Sequence, residues 1–127
     1  EREKNFNYMT NFFKQYKDWF ILPKQFPNSR TGWLAYAITI TDAAPFTRKE
    51  FQIFMEKRNI QTRTVFTGNI ARQPLFKTVD FRIAEEGCKH ADDVMRGGVL
   101  LACHHGLTDA MREAITKNAA EFLGQFK

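Results

Sequence analysis

Residues 32–41 alternate between large apolar and small side chains, and this run limits the possible folds more than any other part of the chain. The large residues occupy every second position: Leu34, Tyr36, Ile38 and Ile40. Because successive side chains of a β-strand point to opposite faces, the run predicts a strand with one buried face. The other face carries mainly small residues, so a second layer of structure could approach it closely.

An aromatic helix is predicted before this strand, over residues 2–18. Its apolar positions recur at spacings of three and four, which places them on one face: Phe6, Met9, Phe13 and Tyr16. One helix of this length cannot cover so wide an aromatic face by itself. We therefore expect the face to pack on the rest of the domain or on a part of the protein outside this chain.

A second helix has a clear start signal. Thr47 and Glu50 have the spacing of a capping box, in which each side chain binds the main chain of the other residue. The helix is predicted to run to about Arg58. Asn59 then suits the left-handed turn that ends many helices.

The remaining elements follow from composition and from short apolar runs. Residues 60–67 are rich in β-branched side chains and predict a strand. Residues 91–96 predict a short helix ended by Gly97, and residues 99–103 predict a short buried strand. A last helix is predicted over 109–124, with these residues facing inward: Met111, Ala114, Ile115, Phe122 and Leu123.

The order of these elements predicts the fold class. When a weak strand at residues 20–22 is included, the order of the elements is helix, strand, strand, helix, strand, helix, strand, helix. Such an order favours an α/β (α+β) two-layer sandwich, in which a small antiparallel or mixed sheet is covered by helices on one face.

Composition excludes several classes of protein. The chain has 127 residues, 43% of them hydrophobic and 26% charged, which is typical of one globular domain. No apolar run approaches the roughly 20 residues that span a bilayer, and the charged residues 1–4 do not resemble a secretion signal. We therefore expect a cytoplasmic protein without membrane contact. The net charge of +5 is scattered along the chain, which favours a solvated surface over a nucleic-acid patch.

The segment 60–74 has the chemistry of a ligand-binding loop. Two arginines offer planar donors that match phosphate oxygens, amide side chains can bind sugar hydroxyls, and a glycine lets the main chain turn or approach a ligand. The candidate substrate-binding residues are Arg63, Gly68, Asn69, Arg72 and Gln73. On chemistry alone, a polar surface loop after a strand is the more common explanation of such residues.

Two clusters of cysteine and histidine are weaker candidates. Cys88 and His90 form the first, and Cys103, His104 and His105 form the second. Neither cluster has a standard zinc-ligand spacing, so no metal site is predicted. Cys103 is interpreted as a small buried hydrophobe. His104 is added to the substrate-binding candidates because it lies between a strand end and a helix start.

The pattern I-x-T-R-x-x-F-x-G-N-x-x-R-Q-P over residues 60–74 resembles a family of enzymes. It is similar to the C-terminal small domain of the DegT/StrS family of PLP-dependent nucleotide-sugar enzymes, and most similar to its 3-dehydratase branch. Residues 18–23, 44–48 and 106–108 also resemble the family, in the expected order. The two residues before Gly106 are commonly aromatic and proline in the family, whereas this chain has two histidines.

The resemblance implies a function and a division of the protein. It implies a PLP- or PMP-dependent NDP-4-keto-6-deoxyhexose 3-dehydratase of deoxysugar and lipopolysaccharide synthesis, active as a homodimer on a nucleotide sugar. PLP and the catalytic residue, a histidine in dehydratases and a lysine in aminotransferases, would belong to a large domain outside this chain. We therefore expect no catalytic and no cofactor-binding residue here, and no activity from the isolated chain. Residues 1–18 would end an interdomain helix and 19–127 would form the small domain.

Two alternatives remain open. A sugar aminotransferase would differ from a dehydratase only at the catalytic position that this chain lacks. A stand-alone basic α/β module that binds RNA or another anionic partner would also fit the charge, although the predicted strands lack the paired exposed aromatics of common RNA-binding sheets. The sequence leaves open whether an iron–sulfur reductase partner is required.

Overall fold

The computed structural model describes residues 1–126, which form eight elements in the predicted order. The helices are α1 (Arg2–Phe13), α2 (Arg48–Glu56), α3 (Lys89–Gly97) and α4 (Asp109–Leu123). The strands are β1 (Phe20–Ile21), β2 (Ala35–Ile40), β3 (Arg63–Thr64) and β4 (Gly98–Ala102). Short 3-10 turns cover Lys14–Tyr16, Ile70–Arg72, Pro74–Lys77 and Gly124–Phe126.

The four strands form one antiparallel sheet in the order β1-β2-β4-β3. Its centre is the pairing of β2 with β4, in which Ala35 opposes Ala102 and Thr39 opposes Gly98. On β3, Arg63 opposes Leu100. The sheet is therefore built from strands that are distant in sequence, with the binding-loop candidates attached to one edge.

The two faces of the sheet differ as the alternation in residues 32–41 predicts. One face is completely buried beneath helices and contains Tyr36, Ile38, Ile40, Val99, Leu101 and Cys103. The other face, with Ala35, Ala37, Leu100 and Ala102, stays half-exposed. The prediction of a two-layer α+β sandwich, with helices on one face of the sheet, is confirmed.

The aromatic face of α1 packs on this domain. Phe13 is fully buried and its ring lies 5.9 Å from that of Tyr36 and 5.3 Å from that of Phe20. Phe6 stacks on Trp33 with ring centroids 3.8 Å apart. Of the two expectations for this face, packing within the domain is the one that the structure supports. The helix itself ends earlier than predicted, and a 3-10 turn continues to Tyr16.

The capping box of α2 forms as predicted. The Glu50 main-chain N–H donates to Thr47 Oγ1 at 3.3 Å, and the Thr47 N–H donates to Glu50 Oε2 at 2.7 Å. The hydrogen bonds from the Thr47 main-chain N–H and hydroxyl to the Glu50 carboxylate hold the pKa of Glu50 below its ordinary value. Asn59 has a φ of 60°, the left-handed conformation expected after the helix. The capping threonine of α4 is also confirmed, since Thr108 accepts from the Met111 N–H.

Two predictions of burial and extent were wrong. The strand expected over 60–67 is reduced to Arg63–Thr64, because Phe66 and Gly68 both take positive φ and turn the chain away from β4. On α4, Met111 and Ala114 are exposed, whereas Arg112 is buried. The inward face of this helix therefore starts with a charged residue, which apolar periodicity could not indicate.

A buried polar network connects α1 to the turn between β4 and α4. Asn5 is completely buried, and its Nδ2 donates to the His104 carbonyl at 2.7 Å. Arg112 Nη1 donates to Asn5 Oδ1 at 2.7 Å and to the Leu107 carbonyl at 3.3 Å. Arg112 also forms an ion pair with Asp109. The network satisfies main-chain carbonyls that have no partner within a strand or helix.

Asn5→Ala is therefore expected to destabilise the domain by about 2 kcal/mol, because it removes the Asn5 oxygen from the buried Arg112 and the side-chain donor from the His104 carbonyl. The free energy of unfolding should be measured by urea titration. Asn7→Ala is the matched control, since Asn7 is exposed on the same helix. Equal destabilisation by the two substitutions would contradict a structural role for the network.

Candidate functional site

A cleft of about 880 Å³ lies over the half-exposed face of the sheet. Its floor is apolar and contains Ala35, Leu100 and Ala102, together with the exposed Leu34. Polar and charged side chains line its sides: Gln52, Gln61, Thr62, Arg63, Thr64 and His104. An open apolar floor with a few converging polar groups is typical of a ligand-binding site.

Arg63 supplies the positive charge of this cleft. It opposes Leu100 in the sheet, and therefore lies on the same half-exposed face. The residue is exposed, and no hydrogen bond or ion pair holds its guanidinium within residues 1–126. Its neighbour Thr62 is buried, and its Oγ1 donates to Glu56 and accepts from Gln52, both on α2. β3 is thus attached to α2 through Thr62 and presents Arg63 to the cleft.

Gly68 brings the following loop against α3. Its φ is 70°, and a Cβ atom at this position would lie 2.4 Å from the Cβ of Met95. Glycine is therefore required at this position for two reasons: the left-handed main chain and the close approach to the helix. The structure uses this glycine for packing within the domain.

Asn69 and Arg72 hold the same loop through one carboxylate. Arg72 Nε and Nη2 donate to the two oxygens of Asp92 on α3, at 3.0 and 2.9 Å. Asn69 is buried, and its Nδ2 donates to Asp92 Oδ1 at 2.8 Å while its Oδ1 accepts from the Ala71 N–H. The Arg72 guanidinium and the Asn69 amide lower the pKa of Asp92 to about 2.

Gln73 stabilises the loop through hydrogen bonds to its main chain. Its Nε2 donates to the Thr67 carbonyl at 3.0 Å and to the Asn69 carbonyl at 3.4 Å. Four of the candidate residues predicted from sequence thus lie in one loop, in which Gly68, Asn69 and Arg72 contact α3 and Gln73 binds the loop main chain. These four side chains bind other groups of the domain, whereas Arg63 and His104 line the cleft.

His104 lies at the far end of the cleft, after β4. The Gly106 main-chain N–H donates to His104 Nδ1 at 3.1 Å, so the ring proton is on Nε2. Its main-chain carbonyl is held by Asn5. The neighbouring His105 lines a separate, smaller depression near Arg2 and Arg30.

Phe66 lines the cleft, although it is not among the substrate-binding candidates predicted from the sequence. It is 87% exposed, has a φ of 47° and lines the cleft close to Arg63 in the chain. Because residues 60–67 were predicted to be a strand, there was no reason to expect a turn with an exposed aromatic side chain at Phe66. The sequence feature that could have indicated a turn here is Gly68, two residues after Phe66.

The other candidates have structural surroundings. Cys103 is buried, as predicted, and burial raises the pKa of its thiol to about 11. Among residues 1–126, no three histidine, cysteine or carboxylate side chains come together as metal ligands would. Within the same residues, no helix has the length and apolar character needed to cross a membrane.

Residues 1–119 match the model of the DegT/DnrJ/EryC1/StrS aminotransferase family. Two curated proteins illustrate the similarity. A dTDP-4-dehydro-2,6-dideoxy-D-glucose 3-dehydratase of Saccharopolyspora spinosa is 38% identical over 105 residues, which are 83% of this chain and 22% of that protein. The lipopolysaccharide biosynthesis protein RfbH of Salmonella typhimurium is 27% identical over 124 residues, 98% of this chain and 28% of that protein.

Solved structures share the fold. The E. coli GDP-4-keto-6-deoxy-D-mannose-3-dehydratase with bound hydrated PLP superposes with a TM-score of 0.75 at 18% identity. The superposition covers 93% of this chain and 29% of that one. The chain therefore spans between a fifth and a third of the length of these relatives.

Gly68→Ala is expected to destabilise the domain by roughly 2 kcal/mol or more, because the left-handed conformation and the contact with Met95 both disfavour a Cβ. Gly87→Ala is the matched control: its φ is 76°, but a Cβ there would meet nothing within 4 Å. Thermal and urea unfolding of both variants should show the larger loss for Gly68→Ala. Equal losses would mean that the approach to Met95 contributes nothing.

Asp92→Asn is expected to release the loop over residues 68–73 without unfolding the domain. In the wild type, the stabilisation from Asp92 should be complete above its ordinary pKa of 3.8 and disappear as the pH falls to about 2. Amide hydrogen exchange of Ala71 and Gln73 measures both effects. Asp93→Asn is the control, since Asp93 is paired with Lys89 and Arg96 of its own helix. Unchanged exchange in Asp92→Asn would refute the anchoring role.

Proposed function

The chain belongs to the DegT/DnrJ/EryC1/StrS aminotransferase family, and we propose that it is the C-terminal small domain of an NDP-4-keto-6-deoxyhexose 3-dehydratase. Similarity to a curated sugar-nucleotide 3-dehydratase supports the reaction. Similarity to a lipopolysaccharide biosynthesis protein supports a place in deoxysugar synthesis. In this proposal, residues 1–18 lead from a large domain and residues 19–127 form the small domain.

The observation that carries the proposal is the unpaired Arg63 in an open cleft. The other loop arginine, Arg72, is neutralised by Asp92, whereas Arg63 has an apolar floor beside it and no carboxylate among the residues lining the cleft. A guanidinium in such surroundings attracts an anion and can bind phosphate oxygens through two parallel hydrogen bonds. The diphosphate of a nucleotide sugar is the anion that the relatives' names indicate.

The candidate residues then divide into two groups. Arg63 and His104 contact the substrate directly. Gly68, Asn69, Arg72 and Gln73 contribute to substrate binding by fixing the loop over residues 68–73, which directly follows the turn that carries Phe66. A loop held by α3 keeps its shape before the ligand arrives, which lowers the entropic cost of binding.

We propose that PLP is held outside this cleft. The lining has neither a lysine that could form a Schiff base nor a carboxylate that could pair with the pyridinium nitrogen. We propose that a large domain supplies the PLP or PMP site and the catalytic residue. The half-exposed sheet face would then face that domain across the nucleotide sugar, in a cytoplasmic homodimer.

Two other functions are distinguishable. A PLP-dependent sugar aminotransferase is favoured by the family to which the chain belongs, and it would use the same cleft. A stand-alone RNA-binding module is favoured by the net charge of +5 and by an exposed aromatic residue near an unpaired arginine. RNA binding that weakens steeply with salt would support that function, whereas a dehydratase domain should bind nucleotide sugars and not RNA.

The decisive experiment is to sequence the coding region upstream of Glu1 and to assay the complete polypeptide. A large domain with histidine at the position of the PLP-binding lysine is expected, together with loss of the C3 hydroxyl from a 4-keto-6-deoxy sugar nucleotide. Assays with and without an iron–sulfur reductase determine whether that partner is required. Lysine at the same position, with amino transfer, would replace the dehydratase by an aminotransferase.

The 127-residue chain alone serves as the control in this experiment. It is expected to develop no PLP absorbance after incubation with the cofactor and to have no dehydratase activity. A PLP adduct formed by this chain alone would contradict the proposed division between the two domains.

A further inference from the structure

Resting on the proposed function, we infer that the cleft binds the nucleotide sugar lengthwise, with Phe66 stacked on the base, Arg63 on the diphosphate and His104 on the sugar. Each of these three side chains lines the cleft. Their spacing along the sheet and their different chemistry assign them to different parts of one extended ligand.

The register of the sheet separates Arg63 from His104. Arg63 opposes Leu100, and His104 follows Leu100 by four residues. At about 3.4 Å per residue, the two positions are on the order of 13 Å apart along the strand direction. The two side chains thus begin at well-separated points along the cleft. The cleft therefore suits an elongated ligand whose negative charge lies at the Arg63 end.

Phe66 is placed for stacking at that same end. Its main chain is in the left-handed region, which is uncommon for a phenylalanine, and its ring is almost completely exposed. Thr64 Oγ1 donates to the Phe66 carbonyl at 3.1 Å, and the Gly68 N–H donates to the Val65 carbonyl at 3.0 Å. These bonds hold the turn. A strained turn that presents an apolar ring to solvent, three residues from an unpaired arginine, fits an aromatic base joined to phosphate.

His104 is oriented to donate at the opposite end. Because Nδ1 accepts from the Gly106 N–H, the remaining ring nitrogen carries a proton and faces outward as a donor. The buried Asn5 holds the His104 main chain at the same time. A neutral donor suits the hydroxyl or keto oxygens of a sugar. Asn5 and Arg112 are accordingly positioning residues for this end of the cleft.

The test is a set of titrations of the ¹⁵N-labelled 127-residue chain, followed by amide chemical shifts. The probes are inorganic pyrophosphate, the diphosphates of cytidine, guanosine, uridine and thymidine, and dTDP-glucose. Shifts are expected at residues 63–66 with all probes, and also at residues 102–106 with dTDP-glucose. Absence of shifts with every probe at millimolar concentration would overturn the inference.

Three variants test which side chain binds which part of the ligand. Arg63→Gln should weaken binding of every probe about tenfold. Phe66→Ala should weaken the nucleoside diphosphates about tenfold and leave pyrophosphate unchanged. His104→Ala should affect dTDP-glucose alone. The matched controls are Arg82→Gln and Phe26→Ala, which remove an exposed arginine and an exposed phenylalanine elsewhere.

The outcomes separate this inference from the proposed function. If Phe66→Ala and Phe26→Ala bind the nucleoside diphosphates equally well, base stacking is refuted, while a histidine at the catalytic position would still support the dehydratase. If the variants behave as expected but the complete polypeptide transfers an amino group, the dehydratase is refuted and the lengthwise binding stands. Tighter binding of single-stranded RNA than of any nucleotide would overturn both.

Discussion

The antiparallel pairing of β2 with β4 determines the rest of this structure. It aligns the buried rows Tyr36, Ile38 and Ile40, and Val99 and Leu101, on one face of the sheet. Burying those rows requires helices, and α1, α2 and α4 provide them with an aromatic layer. The same register leaves Ala35, Ala37, Thr39, Gly98, Leu100 and Ala102 on the other face. Five of these six residues are small, so there is little bulk to fill the space above them. The cleft is thus a consequence of having small residues opposite a strongly apolar face.

Charge pairing explains which of the two arginines in the segment 60–74 remains available. Asp92 accepts both hydrogen bonds of the Arg72 fork and one from Asn69, so that carboxylate has little capacity left for other cations. Arg63 lies on the sheet and not on the loop, and no carboxylate lines its cleft. Two arginines of the same motif therefore have different surroundings, although their residue type and spacing suggested a single role in ligand binding.

Local signals predicted most of the fold and little of the site. Periodicity, the Thr47 capping box and the left-handed Asn59 depend on neighbours within a few residues, and all three were confirmed. The strand over 60–67 was wrong because β-branched composition does not report the positive φ of Phe66. Asp92 is 20 residues from Arg72, and Arg112 is 107 residues from Asn5. Such partners become visible only when the chain is folded, so single-sequence reasoning could not identify them.

The buried network around Asn5 connects the beginning of the chain to the cleft. Burial of an arginine is unfavourable unless every donor is satisfied, and Arg112 is satisfied by Asn5, the Leu107 carbonyl and Asp109. Apolar residues could fill the same volume without a partially exposed ion pair, but they would not bind the carbonyls of the turn after β4. The polar network fixes that turn, and with it the main chain of His104. A displacement of α1 would therefore move one end of the cleft, while the Asp92-anchored loop at the other end would stay in place.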